Sequence, residues 1–248
     1  MKKITVQVIT LGHMPIGFNT NKIEKWKSEV FEISQNIENY SMNQNSDSVS
    51  WAYSDELLKE ELPNNITTDI LIAIANVPLD DDWYSRRIES NKIVLTLHEM
   101  KEILSNKNIP IENLVLYLLY AYTLAFIKYD NNLPHNGAEF DIIHDETRGC
   151  LFDMHGIKTD VVYSCNKPII CSSCIEKLKS GKLSYETINT ANEEIKKIRK
   201  DLFFQLADFI KKHPIWALII SGISAILLGA LGSMLGTLIY ESIKAITK

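Results

Sequence analysis

The sequence predicts a mixed α/β domain, followed by a cysteine-rich segment and one helix able to cross a bilayer. Three observations carry this reading. Short apolar β-like runs alternate with helical patterns through the first half. All four cysteines fall within 25 residues, from Cys150 to Cys174. Residues 215–240 form a run of 26 residues without one charged side chain.

The elements follow in order. Residues 3–11 (KITVQVITL) alternate apolar and polar and predict a strand. Residues 21–38 carry apolar side chains at helical spacing and predict an amphipathic helix. Residues 39–50 are rich in Asn and Ser and predict a loop. The stretch from Trp51 to Leu62 fits more than one element. Residues 68–76 (TDILIAIAN) predict a buried strand, Pro78 to Asp82 a turn, and residues 92–97 (KIVLTL) another strand. A short helix follows over 98–106, then a long apolar one over 112–129, then a loop over 130–140. No internal repeat is present.

With 248 residues, and about 180 of them before the C-terminal segments, the chain is long enough for one domain with a full core. The formal net charge is −5, and no basic face lies outside the segment preceding the apolar run. That balance argues against nucleic acid as a partner.

The cysteine cluster points to metal. A domain in a reducing compartment does not normally hold disulfides. Cys171 and Cys174 form a CxxC pair ahead of a helix-like segment, as zinc knuckles do. Thioredoxin-like redox use is the rival, but its CxxC would follow an early strand, and this one comes late. The reading is therefore one structural Zn2+ per chain. Cys150, Cys165, Cys171 and Cys174 are all candidate ligands. Arg148 and Asp153 sit beside this segment and could pair or bind a ligand.

The apolar run spans about 39 Å as a helix, more than the roughly 30 Å hydrocarbon layer. Lys196, Lys197, Arg199, Lys200, Lys211 and Lys212 precede it, whereas Lys244 and Lys248 follow, so the N-terminal side is expected in the cytoplasm, at the plasma membrane. No signal peptide is visible at the start. The lysines before the run suit anionic lipid headgroups. Ser221, Ala225, Gly229, Ser233 and Thr237 recur every four residues, with Gly232 and Gly236 alongside. Such a stripe suits self-association, although small residues are common in spanning helices. Ile188, Ile195, Leu202 and Phe209 recur every seven residues. This pattern suits either a self-pairing helix or one packed on the domain.

From residue 69 onward the chain resembles the archaemetzincins, a zincin-type metalloprotease family. Their signature is HExxHxxGxxHC, then CxM, then CxxC. Here His144-Asp145 stands at the family's His-Cys, Cys150-Leu151-Phe152 at its CxM, and Cys171 and Cys174 at its CxxC. The run DILIAIANVPLDDD is similar to the family's strand before its edge region. The resemblance implies a zincin-like mixed sheet with packed helices, and Cys150, Cys171 and Cys174 as ligands of the structural zinc. Asp145 stands where the family has its first cysteine, which leaves the fourth ligand open between His144, slightly favoured by its kept spacing to Cys150, and Cys165, with Asp145 third. The catalytic helix is matched by residues 118–126, where Leu118 and Tyr122 replace both helical histidines and Leu119 replaces the general base. Leucine neither ligates zinc nor accepts a proton, so metzincin hydrolysis is expected to be absent. His98-Glu99 begins like HExxH but has Glu102 in fifth place, and reads as a strand-to-helix junction. His135, Glu139, Asp141 and His144 are a weaker candidate for a second metal site.

The expected organisation is an α/β zincin-like domain over 1–143, a zinc-knuckle subdomain over 144–180, an amphipathic juxtamembrane helix over 181–213 and a transmembrane helix over 214–241. This suits a catalytically inactive, membrane-anchored binding or sensing module that assembles as a homo-oligomer. Its trigger is an unidentified protein or small molecule, as in a regulatory or defence effector. The alternative is a membrane-tethered hydrolase using non-standard ligands such as His135, His144 and His155.

Overall fold

The computed structural model describes residues 2–34, 36–89, 91–135, 139–181 and 183–246. They divide into two compact units, Met1–Lys200 and Asp201–Lys248. Lys248, one of the charges counted after the apolar run, lies outside the described residues.

The first unit is built on a six-stranded mixed sheet. β1 (Ile4–Leu11) pairs in parallel along one edge with both β2 (Phe31–Ile33) and β3 (Glu38–Tyr40). On its other edge it pairs in parallel with β4 (Ile70–Ala75), and β4 pairs with β6 (Lys92–Thr96). β5 (Ser85–Glu89) closes the far edge antiparallel to β6.

Both faces of the central strands are buried, which explains their near-continuous apolar runs. Val6, Val8, Ile70, Ile72, Ile74, Ile93 and Leu95 point into the larger core. Ile9, Leu11, Leu71, Ala73, Ala75 and Val94 point into a smaller one, closed by Leu58 of α2 (Asp55–Glu61). Ser54 caps α2 by accepting from the Leu57 N–H. The larger core is filled by α4 (Glu112–Lys128), whose residues 112–127 are all buried. A helix apolar all round belongs in such an interior.

The helix expected over 21–38 is replaced by α1 (Thr20–Glu24) and two short strands. Pairing with β1 supplies Phe31–Ile33 and Glu38–Tyr40 with hydrogen bonds that outweigh the helical spacing of the apolar side chains. Trp26 leaves the helical path to donate its indole N–H to Tyr120 Oη at 2.9 Å. The strand β5 lies in 83–91, where the sequence assigns no element. The ambiguous stretch 51–62 contains α2, and the short helix over 98–106 appears as α3 (Met100–Ser105).

The remaining helices are α5 (Val161–Ser164), α6 (Ser172–Lys179), α7 (Tyr185–Ile195), α8 (Leu202–Lys212) and α9 (Pro214–Ile246). The single helix expected over 181–213 is therefore two. Ile188, Ala191, Ile195 and Ile198 are buried in the first unit's core, so the first half of the heptad pattern packs on the domain. The Lys167 N–H then donates to the Ile198 carbonyl at 2.6 Å, and the Asn113 side chain donates to the Arg199 carbonyl at 3.1 Å. These bonds draw residues 196–201 out of the helical path.

In the second unit, α9 is long and apolar enough to cross a membrane over Pro214–Ala245. Unlike α4, it leaves its apolar side chains exposed, among them Leu218, Ile226, Leu231 and Leu238.

Candidate metal centre

Local backbone pairing brings the metal-ligating side chains together. His144 and Asp153 form a parallel bridge: the His144 N–H donates to the Phe152 carbonyl and the Met154 N–H to the His144 carbonyl. Cys150 bridges to Ile169, with the Leu151 N–H donating to the Ile169 carbonyl at 2.7 Å and the Ile169 N–H to the Gly149 carbonyl at 2.9 Å. Gly149 makes the turn at φ +80°, a conformation that disfavours side chains. A Cβ there would lie 3.4 Å from the Tyr163 backbone oxygen. Cys171 then precedes α6, and Cys174 sits in its first turn.

The result is a group of His144, Cys150, Cys171 and Cys174, whose ligand atoms all lie within 4.8 Å of one another. The geometry fits zinc. With Zn–S near 2.3 Å and Zn–N near 2.0–2.1 Å, a tetrahedron places sulfurs about 3.8 Å apart, and sulfur and nitrogen about 3.6 Å apart. Here Cys150 Sγ and Cys174 Sγ are 3.7 Å apart, and Cys171 Sγ is 3.5 Å from His144 Nε2. The other ring nitrogen, Nδ1, is buried without a hydrogen-bond partner and faces the Glu146 carboxylate at 3.8 Å. A histidine bound through Nε2 would present its N–H to that carboxylate, the usual outer-shell arrangement.

The thiols are electrostatically prepared for a cation. Cys150 and Cys174 share a thiol hydrogen bond at 3.7 Å, and this contact holds Cys150 down at about 5, despite the opposing effect of burial. The backbone N–H groups of Cys171 and Phe152 reinforce this thiolate. The same contact, with burial, pushes Cys174 up. Proton sharing of this kind is what a metal ion replaces when it binds deprotonated sulfur. Four protein ligands leave no open position, so a zinc held here stabilises the fold and does not activate water.

The fourth member of the cluster is His144, and Cys165 lies outside it. Cys165 is fully buried elsewhere, its carbonyl accepts from Asn113 at 2.9 Å, and burial alone pushes its thiol up. Asp145 lies outside the cluster and accepts from the Gly156 N–H. Arg148 pairs with Asp160 at 2.7 Å, not with Asp153. The weaker second set does not assemble. His135 and Glu139 are exposed, and Asp141 is engaged by Lys128 and Tyr129. Among the described residues, the knuckle is the one group of three or more His, Cys, Asp or Glu side chains placed to share a metal.

Beside the knuckle lies a small cleft of about 100 Å³, between α4, β5 and residues 140–154. Leu118, Ala121 and Tyr122 line it from α4. Tyr122 Oη lies 2.5 Å from Ser85 Oγ, and Arg87 lies over the Phe140 ring at 4.1 Å while its Nε donates to the Pro134 carbonyl. Behind the cleft, Tyr84 Oη lies 3.0 Å from Tyr117 Oη and 2.7 Å from His155 Nδ1. His155 Nε2 lies 2.9 Å from Ser164 Oγ, which donates to the Cys150 carbonyl. This buried relay ties the cleft wall to the knuckle backbone. His155 thus belongs to the relay and not to a metal site. The sequence singled out only His155 of this group, as a possible metal ligand; its pairing with Tyr84 joins residues 71 apart in the chain and carried no sequence signal.

No family model matches the sequence, and no curated protein matches it. Among solved structures, the chain is similar to the crystal structure of archaemetzincin from Methanopyrus kandleri. The TM-score is 0.45 and the sequence identity 12%, over 72% of this chain and 94% of that one.

Proposed function

We propose that this chain is a membrane-anchored binding module, stapled by one structural zinc and without a hydrolytic centre. The observation that carries the reading is the contrast between two neighbouring sites. The Cys3His cluster offers four protein ligands to a single ion, while the adjoining cleft presents Leu118 and Tyr122 from its central helix. Metal-assisted hydrolysis needs an open coordination position and a base near its water. The closed cluster has no such position, and α4 places no His, Asp or Glu in the cleft lining, only the hydroxyls of Tyr117 and Tyr122.

The cleft is the proposed binding site, because a mostly apolar lining there meets a few polar groups, the Tyr84 and Tyr122 hydroxyls, Arg87 and Asp153, and its volume of about 100 Å³ suits only a very small ligand or one side chain. The charges flanking α9 support a cytoplasmic first unit at the plasma membrane. The small-residue stripe on α9 supports self-association within the bilayer, so that ligand capture would be read out by a homo-oligomer.

Metal counting on the purified full chain tests this. One zinc per chain is expected, unchanged by His135→Ala or Glu139→Ala. Two zincs per chain, or proteolysis abolished by a chelator, would overturn the reading.

A further inference from the structure

We infer that α8 is an interfacial helix that lies in the headgroup layer of a bilayer, with Leu202, Phe203, Leu206, Phe209 and Ile210 immersed. This rests on the membrane reading of α9. Those five residues fall within a continuous arc at 100° per residue, and all are exposed, Leu202 to 80%. Gln205, Asp208, Lys211 and Lys212 occupy the opposite arc. Phe204 alone interrupts it, with its ring 5.3 Å from that of Phe203.

Three observations select lipid as the occupant of this face. The apolar helix α9 begins at Pro214, with only His213 between it and the end of α8, so the two apolar surfaces are contiguous in the chain. The 11 residues of α8 extend about 16 Å, too short to cross a layer of roughly 30 Å. A second copy of α8 is a poor alternative. The upstream half of the heptad pattern is committed to the first unit's core, and what remains falls short of the three or more heptads a coiled coil requires. A short helix with an apolar face and basic residues opposite is the composition that lies in the membrane plane.

The test uses the full chain reconstituted in vesicles. A nitroxide is carried on a keto side chain, which spares the four native thiols, at one position per sample. Positions Phe203, Leu206 and Ile210 should collide with membrane-dissolved oxygen, and positions Gln205, Asp208 and Lys212 with a water-soluble nickel chelate. Accessibility should swing about tenfold with a period near 3.6 residues. A label at Ile226 reports α9 separately. If Ile226 is in lipid but all six α8 positions are in water, the inference fails and the anchor stands. Labels at Phe203, Leu206 and Ile210 shielded from both reagents would place protein on this face and also defeat it. Ile226 in water would remove the anchor and the inference together.

Discussion

Glu194 offers a quantitative test of how the fold holds α7, the last helix of the first unit. Its carboxylate is buried and accepts three hydrogen bonds: from Ser28 Oγ at 2.6 Å, from Tyr120 Oη at 2.7 Å and from the Glu29 N–H at 2.8 Å. Glu194→Ala strands two hydroxyls in positions closed to water, Tyr120 being fully buried and Ser28 nearly so. The Glu29 N–H is only partly buried and can turn to solvent. Each stranded buried donor costs about 1–3 kcal/mol, giving a loss of about 4 kcal/mol. For a unit of 200 residues, about 2–4 °C per kcal/mol implies a Tm lower by roughly 8–16 °C. Tryptophan fluorescence is a suitable assay on the detergent-solubilised chain, since Trp26 bonds the same Tyr120 hydroxyl. A double-mutant cycle sharpens it: Tyr120→Phe should cost at least about 1 kcal/mol less in the Glu194→Ala background than in the wild type. A Tm within about 2 °C of wild type, or additive effects in the cycle, would refute the argument.

Further outcomes follow from other parts of the structure. Gly149→Ala forces a side chain into positive φ and against Tyr163, so a loss of about 1–2 kcal/mol by denaturant titration is expected, against no effect if the turn relaxes. Burial lowers the His155 pKa, with Asp153 opposing, so the folded state binds fewer protons than the unfolded one just below pH 6.5. This group's contribution is therefore fully present above about pH 6.5 and declines as pH falls. His155→Asn, which tolerates the left-handed backbone at φ +53°, should flatten the Tm–pH slope in that window, and an unchanged slope would locate the titration elsewhere. Gly229→Ile with Gly232→Ile should reduce the apparent mass in detergent, and an unaltered mass would exclude the stripe as an interface.

Much of the first unit was legible from sequence, for a physical reason. β4, β6 and α4 are buried on all sides, so their apolar runs were unbroken and could be placed without knowing their partners. The errors cluster where pairing or packing partners decide. Residues 21–38 have helical spacing, yet Phe31 and Ile33 are claimed by β1. β5 reads SRRIE because it is an edge strand, and charges such as Arg86 and Glu89 protect that edge. The seven-residue repeat from Ile188 to Phe209 ran through residues 196–201, because spacing alone cannot register the core contact of Ile198 or the bond to its carbonyl.

At the metal centre, the match of Cys150, Cys171 and Cys174 to the family's motif pointed to three of the four residues that cluster in the structure. The fourth was not decidable from spacing. Cys165 is nearer to the CxxC in sequence, but α5 buries it against Asn113, while the bridge to Asp153 carries His144 inward. The Tyr84–His155–Ser164 relay was invisible for the same reason as Glu194. Each is a set of long-range hydrogen bonds among residues that carry no pattern of their own.

A crystal structure of the metal-loaded chain, with anomalous scattering recorded across the zinc edge, tests the central claim most directly. The account predicts one zinc peak, bound by His144 Nε2 and the sulfurs of Cys150, Cys171 and Cys174. A peak in the cleft beside Leu118 and Tyr122, or a zinc bound by Cys165 in place of His144, would contradict it.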